Sequence, residues 1–323
     1  MKALVAQALT GTSGLAYADV DEVADPSGQA VIIDVGAAGV CFPDLLLLRG
    51  EYQLRLEPPF TPGMEVAGTV RSAPEGSGFT PGQRVSAMTM LGGYAEQVAA
   101  LPANVIPTAD GLDDGQAASL LGNYYTMQFA LARRGGLVPG ETVLVLGSAG
   151  GIGVASIQLA KAMGAKVIAM VHRSGAEEFV SSVGADVVLP LTDGWRQAVM
   201  DATGGEGADL VVDPIGGEAF DDAIRVLAPE GRLLVIGFAA GGGIPTVKVN
   251  RLLLRNVSVV GVGWGEFVRR HPAAQAQVGA ELNKLVAGGL RPPAPVRYPL
   301  SEGAAALDAL ASGQVRGKLV LEP

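Results

Sequence analysis

The residues best able to do chemistry in this 323-residue chain fall into two groups. The first is a glycine cluster, Gly147-Ser148-Ala149-Gly150-Gly151-Ile152-Gly153, inside ETVLVLGSAGGIGVASIQLAKAMGAKVIAMVHR (141–173). Glycines let a backbone approach an anion closely, and a helix that starts at such a turn offers it free N–H groups and a positive dipole end. The second is Glu65 in PFTPGMEVAGTV (59–70), with Met64 directly before it. A carboxylate in that setting is a metal ligand, a reaction acid or a buried structural group.

The rest of the composition narrows these choices. There is one cysteine, Cys41, and there are two histidines, His172 and His271. A catalytic zinc needs about three protein ligands, which this inventory does not supply near Glu65, so no metal is expected. A single cysteine cannot form an internal disulfide, which fits a reducing cytoplasm. A net charge of -9 argues against nucleic acid and against an anionic membrane surface. No apolar run is long enough to span a membrane. LAYA (15–18) follows a lysine and an apolar stretch in the manner of a signal peptide, but Gln7, Gly11 and Gly14 interrupt it. A first strand over 2–7 is expected there instead.

Two kinds of element must position the candidate residues. The first hundred residues are rich in Gly and Pro and predict short strands at 2–7, 29–39, 65–73, 83–88 and 93–100, forming a compact barrel-like β unit with a helical turn at 42–50. A helix is expected at 113–135. Strands at 142–147, 166–171, 186–189, 209–213, 231–237 and 257–262 then alternate with helices, notably 153–164 and 218–228. Such alternation predicts a parallel, doubly wound sheet. The tail predicts a helix at 273–288 and a last strand at 317–323. Two domains suit this length. Open sheets bind ligands outside the carboxyl ends of their strands, which points to 213–217, to Gly237, Phe238 and Ala239, and to Val262 and Trp264.

The strand–turn–helix–strand context turns the glycine cluster into a dinucleotide fingerprint. Gly150 and Gly151 would admit a pyrophosphate, and Gly153 would let the helix pack close to the strand. Ser148 stands where the usual first glycine would be. Ser148, Ala149, Gly150, Gly151 and Ile152 are therefore cofactor candidates. An NAD site normally has a carboxylate at the end of the second strand. His172, Arg173 and Ser174 occupy that place, and the Arg173 guanidinium suits a 2′-phosphate with a hydroxyl beside it. NADPH is expected over NADH.

PGMEVAGTV, PGQRV, GGYAEQVAAL and SAGGIGVASIQLAKAMGA together resemble the medium-chain dehydrogenase/reductase superfamily over nearly the whole chain. GVCFPDLLLLRGEY (39–52) is similar to its zinc-independent quinone oxidoreductase branch. The resemblance implies an α/β fold: a GroES-like, β-rich catalytic domain at 1–121 and 266–323, and a Rossmann doubly wound parallel sheet at 122–265. It implies catalytic roles for Tyr52 and Asp44, a substrate pocket at Cys41, Phe42 and Trp264, and Thr126 near the nicotinamide carboxamide. Gly237, Phe238, Ala239 and Val262 would serve the nicotinamide half, and Lys318 the phosphate end. Cys41 replaces the family's asparagine. Met64 replaces the histidine of zinc-dependent relatives, which leaves Glu65 as a buried, hydrogen-bonded support of the fold.

The implied activity is NADPH-dependent hydride transfer to a small-molecule quinone or related enone. The alternatives are an enoyl-thioester reductase, with Tyr52 as proton donor and Arg251, Arg255, Arg269 or Arg270 meeting a phosphorylated carrier, and a non-catalytic dinucleotide-binding protein. NVSVVGVGW (256–264) should form a sheet edge, and the resemblance implies a homodimer through it.

Overall fold

The structure is a computed structural model and describes residues 1–25, 27–172, 174–241 and 243–323. It begins with strands β1 (Lys2–Ala6), β2 (Leu15–Asp19) and β3 (Val31–Val40), then helix α1 (Phe42–Leu48). Strands β4 (Glu65–Ser72), β5 (Arg84–Met88), β6 (Gln97–Ala100) and β7 (Val105–Pro107) lead to helix α2 (Asp114–Gln128). The alternating part follows: β8 (Thr142–Val145), α3 (Gly151–Ala162), β9 (Lys166–Val171), α4 (Glu177–Ser182), β10 (Val187–Pro190) and α5 (Trp195–Ala202). It continues through β11 (Ala208–Asp213), α6 (Ala219–Arg225), β12 (Leu227–Val235), α7 (Val249–Arg255) and β13 (Ser258–Gly261). The tail holds α8 (Trp264–Arg270), α9 (Ala273–Ala287), β14 (Val296–Pro299), α10 (Gly303–Ala311) and β15 (Leu319–Glu322). The chain divides into two compact units, Met1–Gly122 with Pro272–Pro323, and Asn123–His271.

The first unit is built on β3. This ten-residue strand pairs antiparallel with β4, β6 and β15, in a sheet ordered β14-β15-β3-β4-β5-β7. Its inward residues Val31, Ile33 and Val35 join Val66, Val70, Val85, Leu319 and Leu321 in one core. Alternating β-branched residues suit such a half-buried pleat. Glycine in a strand interior marks a bulge or a close approach, and β3 shows both. Its register shifts between Val35 and Ala37, and a Cβ at Gly39 would lie 2.7 Å from Glu65 Cγ. The LAYA segment is strand, since β2 pairs antiparallel with β1 from Lys2–Asp19 to Ala6–Leu15.

The second unit is a parallel sheet ordered β10-β9-β8-β11-β12-β13. β8 and β11 read as short apolar runs because both faces of the sheet are covered. Leu144, Val211 and Leu233 are fully buried there with Phe220 and Ile224 from α6. The strand order reverses between β8 and β11, which opens a crevice at their carboxyl ends. β12 starts at Leu227, earlier than the sequence suggests, since Glu230 takes a positive φ and the register with β11 shifts. The helix expected to 135 is α-helical to Gln128 and then forms a π-helical turn, Phe129–Arg134. Among the described residues, no helix is long and apolar enough to cross a membrane.

Candidate active site

In the second unit the glycine-rich turn leaves β8 at Gly147, whose φ of 61° suits glycine. The Ser148 hydroxyl donates to Val145 O at 2.7 Å and its amide to Met170 O at 3.2 Å. Ser148 thus ties the turn to β8 and β9, and its donors are used within the protein. Gly150 is the N-cap of α3, and the helical ladder begins with Val154 N–H to Gly150 O at 2.9 Å. The amides of Gly151, Ile152 and Gly153 precede that ladder and, among the described residues, have no hydrogen-bond partner, which leaves them to meet an anion. A Cβ at Gly153 would lie 2.5 Å from Ser148 Cα, so close packing of helix on turn requires glycine there. A Cβ at Gly150 would meet nothing nearer than Gly147 O at 3.6 Å. Among the described residues that side is open, as a cradle for a pyrophosphate requires. These features fit a dinucleotide.

The carboxyl ends of β8, β11 and β12 converge beside this turn. A Cβ at Gly147 would lie 3.1 Å from Ile215 Cγ2, and the Ala239 amide donates to Pro214 O at 3.1 Å. Gly237 is partly buried, while Phe238 and Ala239 are exposed. Asp213 shapes the loop: its Oδ1 accepts the amides of Ile215 at 3.0 Å and Gly216 at 2.8 Å. Burial pushes its carboxyl above the usual range against those two bonds. Thr126 and Val262 are partly buried, and His172 and Ser174 are exposed after β9. Arg173 lies outside the described residues. Trp264 is buried, with ring centroids 6.1 Å from Tyr125 and 5.4 Å from Phe129. Its bulk serves aromatic packing within this unit.

In the first unit, the Glu65 carboxylate is wholly enclosed. It accepts the Gly122 amide, forms an ion pair with Lys318, and lies 3.0 Å from Cys41 Sγ. Glycines at 39 and 122 make this possible, because a side chain at either would run into the carboxylate. Lys318 Nζ is also 3.1 Å from Cys41 Sγ. The resemblance assigned Lys318 to a cofactor's phosphate end. The structure turns its ammonium to Glu65, since a buried carboxylate draws the nearest buried cation. Burial opposes the charged form of Lys318, but the Glu65 charge and the hydrogen bonds to Glu65 and Cys41 outweigh it and raise its pKa. Burial, with Glu65 adding to it, pushes the Cys41 thiol well up, so it remains a neutral thiol.

Asp44 is likewise enclosed. Its Oδ2 accepts the Tyr94 hydroxyl at 2.7 Å and the Cys41 amide at 3.0 Å, and its Oδ1 accepts the Gly63 amide at 3.3 Å. Burial pushes its carboxyl up to about 6 against those bonds. Asp44, for which the resemblance implies a catalytic role, joins α1, the 61–64 turn and Tyr94 through these bonds. Tyr94 was missed as a site residue, although the double glycine of GGYAEQ before it signals a close approach. A Cβ at Gly93 would lie 2.8 Å from Gly63 O. Tyr52 is partly buried, and its pKa is raised by burial and then by Asp44 and Cys41. Phe42 is exposed.

Zinc does not fit this cluster. The Lys318 ammonium already occupies the place between Glu65 and Cys41, and Met64 beside them is a buried thioether. Among the described residues, no group of three or more His, Cys, Asp or Glu could hold a metal ion.

Comparison with known proteins agrees with this geometry. Residues 27–120 match the alcohol dehydrogenase GroES-like domain, and residues 151–278 match the zinc-binding dehydrogenase family. Quinone oxidoreductase-like protein 2 of Bos taurus is 36% identical over 266 residues, covering 81% of this chain and 76% of that protein. The solved structure of a probable oxidoreductase from Mycobacterium abscessus is 60% identical with a TM-score of 0.93, covering 100% of this chain and 99% of that one. The quinone oxidoreductase of Thermus thermophilus, solved also as its complex with NADPH, is 34% identical with a TM-score of 0.86 over 100% of both chains. A β-rich GroES-like unit without zinc ligands, a parallel sheet with an open glycine cradle and these relatives lead to one assignment: the chain belongs to the quinone oxidoreductase branch of the medium-chain dehydrogenase/reductase superfamily.

Proposed function

We propose that this protein is an NADPH-dependent reductase of quinones or related conjugated enones that works without a metal. The observation that carries the reading is the cradle at Gly150, open on the side where the first amides of α3 are unpaired by the helix. When bound, NADPH supplies the hydride that reduces a conjugated acceptor. The chain's own part is to bind and orient. Amides of Gly151 and Ile152 hold the pyrophosphate, and Arg173 with Ser174 takes the 2′-phosphate. Gly237, Phe238, Ala239, Val262 and Thr126 shape the nicotinamide end. Residues 122–265 form the cofactor domain, and 1–121 with 266–323 the catalytic one.

On the substrate side, Tyr52 is the donor for oxygen charge that develops on the acceptor. Its raised pKa keeps the hydroxyl protonated, and among the described residues it makes no hydrogen bond. Preorganised donors of this kind stabilise developing oxyanions. Asp44 and Tyr94 hold the loop that carries Cys41 and Phe42. A cytoplasmic location suits the lone thiol. NADPH oxidation measured against a panel of quinones, enones and enoyl-thioesters tests the reading. Turnover confined to enoyl-thioesters would overturn it, and so would NADPH binding without turnover on any acceptor.

We also propose that the protein is a homodimer. β13 is an edge strand beside β12, and α7, which leads into it, exposes Val249, Leu253 and Leu254. An apolar edge of this kind invites a second copy, and a twofold pairing closes on itself.

A further inference from the structure

The hydrogen bonds between β11 and β12 do not stop where the two strands end. Asp213 pairs with Val235 as the last step of the ladder. Beyond it, Ile236 N–H donates to Asp213 O at 2.9 Å, Ala239 N–H to Pro214 O at 3.1 Å and Ala240 N–H to Ile215 O at 3.0 Å. The loop after β12 thus hangs on three carbonyls of the loop after β11. The two loops also touch closely. A Cβ on Gly216 would lie 3.0 Å from Phe238 Cδ1, and one on Gly217 would lie 3.2 Å from Ala240 Cβ. Both glycines have a φ of 63°, so the turn has no side chain of its own to hold it there.

Asp213 holds it instead. Its side chain is 1% exposed, and its Oδ1 takes the amides of both Ile215 and Gly216. A trans peptide is planar, with its N–H and C=O pointing opposite ways. The N–H of Ile215 shares its plane with Pro214 O, and the N–H of Gly216 shares its plane with Ile215 O. Drawing those two amides in to the carboxylate therefore turns the two carbonyls out, and they are the ones that accept Ala239 and Ala240. The other carboxylate oxygen, Oδ2, is enclosed and has no hydrogen-bond partner among the described residues. An enclosed polar atom without a partner costs stability, so a stabilising role alone does not account for a carboxylate at this place.

We propose that Asp213 is a positioning residue: through two peptide planes its Oδ1 sets the 237–240 loop, and with it the ring of Phe238. Its bearing on the reaction rests on the reading of Gly237, Phe238 and Ala239 as the nicotinamide end. The first test uses the full-length protein without cofactor, and follows hydrogen exchange of single amides by NMR. Asp213→Ala should speed exchange at Ala239 and Ala240 roughly ten- to a hundredfold, the span of one hydrogen bond to a charged group. Leu233 and Leu234, inside the β11–β12 ladder, should exchange as before. Asp213→Asn keeps an oxygen at Oδ1 and should stay within about threefold of the unmutated protein at all four amides. Asp213→Val takes the place of the alanine variant if that one does not fold. The second test is kinetic. Asp213→Ala should lower kcat about ten- to a hundredfold, the effect of a misplaced reacting group, and change NADPH affinity less than about threefold. Unchanged exchange at Ala239 and Ala240 in the alanine variant would overturn the inference. So would equal acceleration at all four amides, because the residue would then only support the fold. An asparagine variant as fast as the alanine one would show that Oδ1 is not the atom responsible, and equal losses of kcat and affinity would also count against positioning. If the exchange results hold but the unmutated protein oxidises NADPH with no acceptor, the positioning stands and the proposed activity fails.

Discussion

Lys318 and Glu65 form an ion pair whose side chains are 8% and 0% exposed, the most deeply buried pair among the described residues. The thiol of Cys41 lies within hydrogen-bond reach of both.

Removing one partner of a buried pair leaves an uncompensated charge, which costs about 3–5 kcal/mol, while replacing both is much less damaging. Lys318→Met should therefore lose about that much stability in urea denaturation at neutral pH. Adding Glu65→Gln should restore most of it. A loss below about 1 kcal/mol for Lys318→Met would show that the pair does not hold in solution.

The second prediction concerns pH. The Asp44 carboxyl is pushed up from 3.8 to about 6 by burial. Below both values it is protonated in the folded and unfolded chains alike. Between them the folded chain keeps a proton that the unfolded chain has released, so stability falls as pH rises through that window. The fall is on the order of 3 kcal/mol at 1.36 kcal/mol per unit, and is complete above the folded value. Asp44→Asn has no proton to lose. Measured in urea near pH 4 and pH 7, its stability relative to the unmutated protein should improve toward neutrality by about that amount. A difference that stays constant with pH would count against a shifted Asp44.

Cofactor choice is expected to rest on Arg173, because no carboxylate stands at the end of β9 to select NADH. Arg173→Glu should weaken NADPH binding by about 1.5–3 kcal/mol and spare NADH. Equal losses for the two cofactors, in the same binding assay, would remove Arg173 from the site.

Dialysis against a strong chelator should change neither turnover nor melting temperature, since the residues around Glu65 do not fit zinc. Stoichiometric zinc found by elemental analysis of the purified protein would contradict this.

Assembly is read by light scattering. Val259→Lys combined with Val260→Pro places a charge and a missing N–H in β13, and should convert dimers to monomers. An unmutated protein that is monomeric at micromolar concentration would refute the dimer.

What the sequence alone determined was local. The β8–α3–β9 unit was legible because turn, helix and strand signals lie within about thirty residues, the span of one βαβ unit. The parallel sheet followed from alternation, and the edge position of β13 from its place as the last Rossmann strand. Short β2 and β14 were missed because a strand of four or five residues is defined by its partner more than by its own pattern. The contacts around Glu65 were beyond reach for a stronger reason. Cys41 and Lys318 are 277 residues apart, and Asp44 and Tyr94 are 50 apart. Cys41, Glu65 and Lys318 meet because Leu319 pairs with Val40 and Ala38 with Val66, which brings Lys318 level with Cys41 and Glu65 level with Gly39. Strand register is set by the whole sheet, and a slip of one residue would turn Lys318 to the opposite face. The sequence therefore showed that Glu65 lacked zinc ligands, and only the tertiary structure decided that a lysine from the far end of the chain neutralises it.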